Sequence, residues 1–160
     1  MDNPSEDGVG LEVISPVFRN GAPIPPQYTC IGHNVNPPIN IINTPDKTQS
    51  LVLVMHDPDA PGSDYLHWLV WDIPPSTESI AVNSVPVGAV QGLNDAGESS
   101  YMGPCPPAGS GIHHYKFDFY ALDSPLNLAS GSSMQDVIKA MKGRVLDSYI
   151  LTGSFYITKD

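Results

Sequence analysis

The hydrophobic and polar positions of this chain alternate over short segments, a pattern that predicts β-strands. Residues 50–56 (SLVLVMH) form an almost continuous apolar run, as expected of a central strand covered on both faces. A second apolar run, residues 66–73 (LHWLVWDI), ends at a Pro-Pro pair. Residues 114–122 alternate between polar and apolar side chains and predict a third core strand. These three segments form the expected centre of the fold.

Weaker patterns predict the remaining elements. Residues 38–43 favour an edge or half-buried strand, residues 79–82 a short strand, and residues 150–157 the last strand. One helix is indicated, with Ser133 as its N-cap and Asp136 at the third helical position, before Gly143. A single apolar stripe is expected on it, made of Met134, Val137, Ile138 and Met141.

Composition supports a β-rich fold. The 160 residues include 17 prolines and 14 glycines, which favour many turns between short strands. We therefore predict a mostly β protein, a Greek-key-like β-sandwich of two antiparallel sheets with one or two peripheral helices. Residues 1–9 are expected to form a disordered acidic tail, and residues 10–160 a single domain.

The net charge of the chain limits the kinds of partner that it is expected to bind. The net charge is −10 with only 7 Lys and Arg residues, which argues against nucleic acid and against docking on anionic lipid. No apolar run approaches the roughly 18 residues that stable membrane insertion requires, and the N-terminal residues lack a signal-peptide pattern. We therefore expect a cytoplasmic protein. Cys30 and Cys105 match no zinc spacing, and the predicted compartment favours free thiols over a disulfide.

The most informative segment joins a loop dense in proline and glycine, residues 101–112, to the strand that follows it. Side chains along a strand repeat with period 2. His113 and Tyr115 therefore share a face with Phe117, while His114 and Lys116 point the other way. Two polar groups thus stand at the end of an apolar surface, facing a loop of restricted shape, as expected of a small polar ligand site.

Two further polar side chains come from the ends of other predicted strands. Asp57 follows the first apolar run and shares a face with Leu53 if that strand stays regular, and His67 shares a face with Leu69 and Trp71. If these strand ends converge, Asp57 and His67 line one pocket with the pair at residues 113 and 115. Cys105, in the loop before the strand, is a candidate for the lining, although a small buried side chain is the simpler interpretation.

The chemistry of these groups fits an anion. Imidazole and phenol donate hydrogen bonds to phosphate oxygens, and a carboxylate such as Asp57 can orient and charge a histidine. A hydrolase is a weaker hypothesis because the sequence shows no convincing nucleophile. A metal site is also weak, since His113 and His114 point to opposite faces. His33, His56 and His114, and the tryptophans Trp68 and Trp71, are interpreted as structural.

Several segments, in this order along the chain, carry a resemblance to a known family: residues 28–34 (YTCIGHN), 57–61 (DPDAP), 67–68 (HW), 92–95 (GLND), 101–107 (YMGPCPP), 113–115 (HHY) and 120–123 (YALD). Together they resemble the bacterial and archaeal branch of the phosphatidylethanolamine-binding proteins, also called Raf-kinase-inhibitor-like proteins. The resemblance implies a β-sandwich with a small anion pocket at one end, and a cis peptide bond before Pro61. The implied lining is Asp57, His67, His113 and Tyr115, with Pro106 and Pro107 as one wall and Cys105 beside them.

The predicted function is therefore a non-catalytic protein that binds a small phosphorylated ligand or a phospholipid head group and regulates a partner protein. Neither a cofactor nor a metal is expected. The alternative is an inhibitor of a protease or kinase that acts through a protein surface; a phosphoester or peptide hydrolase ranks below it. The sequence is compatible with a homodimer and does not identify a partner protein.

Overall fold

The computed structural model describes residues 10–160, so the predicted tail at residues 1–9 lies outside the described residues. Within residues 10–160, eight strands and one α-helix follow in chain order: β1 (Glu12–Ile14), β2 (Ile39–Ile42), β3 (Ser50–Asp57), β4 (Tyr65–Ile73), β5 (Ser79–Ile80), β6 (Val90–Gln91), β7 (His113–Leu122), α1 (Met134–Met141) and β8 (Val145–Phe155). A short 3-10 turn at Pro26–Tyr28 lies between β1 and β2. The prediction of a mostly β protein with two antiparallel sheets is confirmed.

The larger sheet has five strands in the order β6-β4-β3-β7-β8, and all of its pairings are antiparallel. The apolar run at residues 50–56 lies in β3, the middle strand, where seven of eight residues are buried. A continuous apolar sequence suits this position because both faces of the strand are covered. β7 shows the predicted alternation, with His113 and Tyr115 buried and His114 exposed.

The smaller sheet has the order β1-β2-β5 and covers one face of the larger sheet. Val13, Ile39 and Ile80 from the small sheet pack in one cluster with Leu53 and Phe117 of the large one. The strand predicted at residues 38–43 is half-buried, as expected, but it lies between β1 and β5 and not at an edge. β8 begins at Val145, five residues before its predicted start.

The helix α1 covers the opposite face of the large sheet. Ser133 accepts a hydrogen bond from the Asp136 backbone N–H, and the Asp136 side chain accepts one from the Ser133 N–H, so a reciprocal capping box begins the helix. Val137 and Met141 are buried against this face. Ile138, which was predicted to belong to the apolar stripe, is 53% exposed, so the buried face of the helix is narrower than the pattern indicated.

Two predictions about the loops are wrong. Cys30 and Cys105 are joined by a disulfide across 75 residues, because the chain folds both loops to the same end of the sandwich. The predicted cellular compartment says nothing about which loops lie close together in the fold. The peptide bond before Pro61 is trans, and residues 10–160 contain no cis peptide. Within the same residues, no helix has the length and apolar character needed to cross a bilayer.

Candidate functional site

A cavity of about 240 Å³ opens at the end of the large sheet where β3 ends and β7 begins. This volume lies below the roughly 300–1,000 Å³ typical of sites for drug-sized ligands, so the cavity suits a ligand the size of a head group. All seven residues predicted for the site line it: Asp57, His67, Cys105, Pro106, Pro107, His113 and Tyr115. The strand ends therefore converge, which the sequence analysis could only assume.

His113 is held between a carboxylate and a hydroxyl. Its Nδ1 lies 2.7 Å from Oδ2 of Asp57, and both side chains are buried. Its Nε2 lies 2.9 Å from Oγ of Ser110, which donates its own proton to the carbonyl oxygen of Pro107 at 2.7 Å. With the Ser110 proton on the carbonyl oxygen of Pro107, the Ser110 oxygen accepts from Nε2, and the Asp57 carboxylate accepts from Nδ1. Asp57 thus orients a donor towards the cavity.

His67 reaches the cavity through a β-bulge. β3 and β4 pair as Met55 with Trp68 and then His56 with Leu66, which leaves His67 as an extra residue. Regular alternation would place His67 on the face of Leu69, which packs under α1, so the predicted face for His67 is wrong. The bulge turns its ring to the opposite face and into the cavity.

A backbone hydrogen bond fixes the ring of His67. Nδ1 donates to the carbonyl oxygen of Met102 at 2.7 Å, because a carbonyl can only accept. Burial lowers the pKa of this histidine, outweighing the carbonyl groups of Met102 and Gly103 and the carboxylates of Asp57 and Asp95, which act in the opposite direction. The ring is therefore neutral near pH 7, with its proton on Nδ1.

The third polar group is the phenol of Tyr115. Burial, and then the carboxylates of Asp57 and Asp59, raise its pKa well above the usual range. The hydroxyl is therefore protonated at any physiological pH and acts as a hydrogen-bond donor. The described part of the chain supplies no hydrogen-bond partner for it, so it is free to bind a ligand. The ring edge of His67 meets this tyrosine, with centroids 5.3 Å apart.

The proline wall is anchored by the loop that bears Cys30. Besides the disulfide, the Cys30 N–H donates to the carbonyl oxygen of Pro104 at 3.1 Å, and Asn34 Oδ1 accepts from the Gly103 N–H at 2.8 Å. A Cβ atom at Gly103 would collide with the carbonyl oxygen of Tyr28, so the close approach of the two loops requires glycine. The wall is thus built on long-range contacts.

Four of the residues that line the cavity were not predicted from the sequence. They are Tyr65 and Met102, and Ala60 and Pro61 at the more exposed rim. Residues 60 and 61 belong to the DPDAP segment, which could have signalled them. Ser110 was missed as well, although a serine between two glycines, three residues before His113, is a recognisable signal.

The histidines interpreted as structural lie outside the cavity. His56 is held between Asp64 and Asp118, with its Nδ1 and Nε2 each 2.9 Å from a carboxylate oxygen. His114 pairs with Asp59 at 2.8 Å, and His33 is exposed. Residues 10–160 contain no group of three or more His, Cys, Asp or Glu side chains arranged to hold a metal ion.

The fold and the cavity define a class: β-sandwich proteins with a small polar pocket at one end of the larger sheet. A family model described as phosphatidylethanolamine-binding protein matches residues 14–156. The chain therefore belongs to the phosphatidylethanolamine-binding protein family, and the resemblance noted in the sequence is confirmed.

Curated relatives agree with this assignment. A UPF0098 protein of Pyrococcus horikoshii is 44% identical over 156 residues, which cover 94% of this chain and 78% of that protein. A Mycobacterium tuberculosis protein named as a candidate lipoprotein, LppC, is 40% identical over 152 residues, covering 95% of this chain and 75% of that protein.

Solved structures share the fold. A structure from Chlamydia trachomatis, described as a phosphatidylethanolamine-binding protein homologue, superimposes with a TM-score of 0.87 at 35% identity, covering 94% of this chain and 99% of that one. A carboxypeptidase Y inhibitor, solved in complex with its cognate proteinase, has a TM-score of 0.55 at 18% identity, covering 93% and 83% of the two chains. At that identity the likeness concerns the fold alone.

Proposed function

We propose that this protein is a non-catalytic binding protein for a small anion of the phosphate type, such as a phosphorylated metabolite or a phospholipid head group. The observation that carries the proposal is the convergence of three hydrogen-bonding groups on one small cavity. His113 and Tyr115 are donors, and His67 presents a ring nitrogen to the same space. The family assignment supports the same class of ligand.

The affinity expected of such a site is modest. Hydrogen bonds to charged groups contribute roughly 1.5–3 kcal/mol each, and association itself costs at least about 4 kcal/mol. The lining contains no lysine or arginine among the described residues, and the protein carries a net charge of −10. We therefore expect dissociation constants for a bare phosphate between roughly millimolar and micromolar.

NMR titration with inorganic phosphate and with phosphorylethanolamine tests the proposal. Shifts confined to residues around the cavity are expected with both, and His113→Ala should remove them. Asp57→Asn should weaken binding about tenfold, because it takes away the carboxylate that orients the Nδ1–H of His113. Asp46→Asn, at an exposed aspartate away from the cavity, is the matched control. An absence of shifts near the cavity with both ligands would refute the proposal.

We further propose that the protein regulates a partner protein, which requires a surface outside the pocket. The fold has been solved as a proteinase inhibitor in complex with its target, so an inhibitor of a protease or kinase is the leading alternative. A pull-down with and without saturating phosphate separates the two ideas. A partner that is released by phosphate indicates a ligand-controlled regulator, and one that is unaffected indicates an inhibitor acting through another surface.

One observation favours the hydrolase alternative. Ser110, His113 and Asp57 have the spacing of a serine-hydrolase triad, at 2.9 and 2.7 Å. Against it, the carbonyl oxygen of Pro107 at 2.7 Å competes for the Ser110 proton, whereas a nucleophilic serine donates that proton to its histidine. A phosphonofluoridate probe followed by mass spectrometry decides between the two. Covalent labelling of Ser110, with ester turnover lost in Ser110→Ala, would replace the binding proposal with an acyl hydrolase.

The compartment is a separate question. The disulfide between Cys30 and Cys105 argues against the cytoplasmic location predicted from the sequence, since cytosolic thiols are kept reduced. A relative named as a candidate lipoprotein adds weight on the same side. Trapping thiols with an alkylating agent during cell lysis tests the point. Two alkylated cysteines would support the cytoplasm, and none would support an oxidising compartment.

A further inference from the structure

The cavity contains an acceptor where an anion site is expected to have donors. The proton of the His67 ring is on Nδ1, where it is held by the carbonyl oxygen of Met102 at 2.7 Å. Nε2 of the neutral ring therefore presents a lone pair. Within residues 10–160 this nitrogen makes no hydrogen bond, and it is not among the buried atoms that lack a partner. It is therefore accessible from the cavity that the ring lines.

The surroundings of His67 oppose a second proton on the ring. Burial is the largest influence and lowers the pKa, as described above. The carboxylate of Asp57, which also lines the cavity, already has its own hydrogen-bond partners, the His113 ring and the Asp59 N–H. The titratable groups that face His67 are Asp57 from β3, Asp95 from the loop after β6, Tyr65 from β4, and His113 and Tyr115 from β7.

An oxygen that carries no proton is repelled by a lone pair. A phosphodiester has a single negative charge and no proton on its phosphate oxygens, so it cannot donate to Nε2. A phosphomonoester has a second ionisation near pH 6 and carries one P–OH group below it. That group can donate to Nε2 of His67, while the unprotonated oxygens accept from Tyr115 and, once Ser110 is displaced, from Nε2–H of His113.

We propose that His67 acts as a hydrogen-bond acceptor that makes the site selective for singly protonated phosphomonoesters over phosphodiesters. The inference rests on the proposed anion site and narrows its ligand class. It assigns the pocket to soluble monoesters or inorganic phosphate, and not to the diester group of an intact phospholipid. A site built around an acceptor discriminates strongly, because a ligand without the matching donor leaves a buried polar atom unpaired.

A comparison of monoester and diester binding to the full chain tests this inference. Phosphorylethanolamine is the monoester probe and glycerophosphoethanolamine the diester probe. Both are titrated by NMR at about pH 6, where about half of the monoester carries the P–OH proton, and at about pH 8, where very little of it does. At the lower pH the monoester should bind at least about tenfold more tightly than the diester. Its affinity should fall by about tenfold for each pH unit above its second pKa, while diester binding stays weak and nearly constant.

Two further measurements concern His67 itself. Long-range ¹⁵N–¹H correlation should show a protonated Nδ1 and an unprotonated Nε2, both in the free protein and in the phosphorylethanolamine complex. His67→Asn keeps an N–H at the position that donates to Met102 and removes the acceptor at Nε2, so the monoester-to-diester preference should drop to about one. His33→Asn, at an exposed histidine, should leave the preference unchanged.

The outcomes separate the two proposals. Equal binding of monoester and diester to the unchanged protein would overturn this inference and leave the anion site standing. A doubly protonated His67 ring in the complex would overturn it in the same way. If neither ligand shifts signals around the cavity, the anion site itself is refuted. The unchanged protein supplies all three results, so the test does not depend on His67→Asn folding.

Discussion

At the scale of single residues, the site depends on which groups already have partners. Asp57 uses one carboxylate oxygen for His113 and the other for the Asp59 N–H, so both of its oxygens already accept hydrogen bonds within the protein. Ser110 accepts the hydrogen bond from Nε2–H of His113, so a ligand must displace Ser110 to use that donor. Tyr115 is the donor with no competing partner among the described residues.

Ser110→Ala should strengthen phosphate binding. The substitution removes the hydroxyl that competes for the Nε2–H of His113, and a net hydrogen bond contributes about 1 kcal/mol, or about fivefold in affinity. Isothermal calorimetry with inorganic phosphate measures the change. Ser76→Ala, at an exposed serine outside the cavity, is the control. Weaker binding in Ser110→Ala would mean that the serine itself contacts the ligand.

At the scale of elements, histidine–aspartate pairs attach the loop between β3 and β4 to its neighbours. Asp57, at the end of β3, pairs with His113. In the loop, Asp59 pairs with His114 and Asp64 with His56. His56 also contacts Asp118 of β7. Because residues 60 and 61 of the same loop form the rim of the cavity, these pairs hold the rim in place on both faces of the sheet.

The contribution of His56 to stability should depend on pH. Hydrogen bonds to Asp118 and then Asp64 raise its pKa, despite its burial. A raised folded-state pKa gives stability that is fully present below the unfolded pKa of about 6.5 and is lost as the pH rises through the folded value. Urea unfolding of the protein and of His56→Gln should therefore differ by about 1 kcal/mol near pH 6, with the difference shrinking near pH 9.

The matched control for that experiment is His33→Gln, since His33 is exposed. It should show no pH-dependent difference from the unchanged protein. Any influence of His67 is the same in all three proteins and cancels in the comparison. A difference for His56→Gln that stays constant from acid to alkaline pH would show that the histidine acts through packing and not through its charge.

The capping box of α1 makes a second prediction at this scale. Ser133→Ala removes the side-chain acceptor for the Asp136 N–H and should lower the free energy of unfolding by about 1 kcal/mol. Ser133→Asp keeps an acceptor of similar quality and should cost much less. Thermal or urea unfolding measures both variants. No loss of stability in Ser133→Ala would show that the cap contributes nothing and that α1 is held by its buried face alone.

At the scale of the whole molecule, the disulfide links two loops that are distant in sequence and holds the proline wall of the cavity. Closing a loop of this length restricts the unfolded chain, which stabilises the folded state by about 2–4 kcal/mol. The variant Cys30→Ala/Cys105→Ala should lose that amount in urea unfolding. It should also bind phosphate more weakly, because the wall loses its covalent anchor.

Reductant provides the control. It should lower the stability of the unchanged protein towards that of the double variant and leave the double variant itself unaffected. If the double variant unfolds at the same urea concentration as the unchanged protein, the link does not stabilise the fold.

The parts of the structure that follow from local rules were predictable from the sequence. The apolar run in β3, the alternation along β7 and the cap of α1 depend on periodicity and on contacts between residues a few positions apart. The same rules placed Asp57, His113 and Tyr115 at strand ends. The resemblance to a family then connected these ends into one pocket before the fold was known.

Tertiary structure decided the rest, because it depends on contacts between residues far apart in sequence. The bulge that turns His67 into the cavity arises from the pairing of β4 with β3, so alternation within β4 alone assigned the ring to the wrong face. The link from Cys30 to Cys105 and the contact of Ser110 with His113 arise where loops meet. By itself the sequence determined which chemical groups are present, and the packing of distant segments decided which of them donate, which accept and which face a ligand.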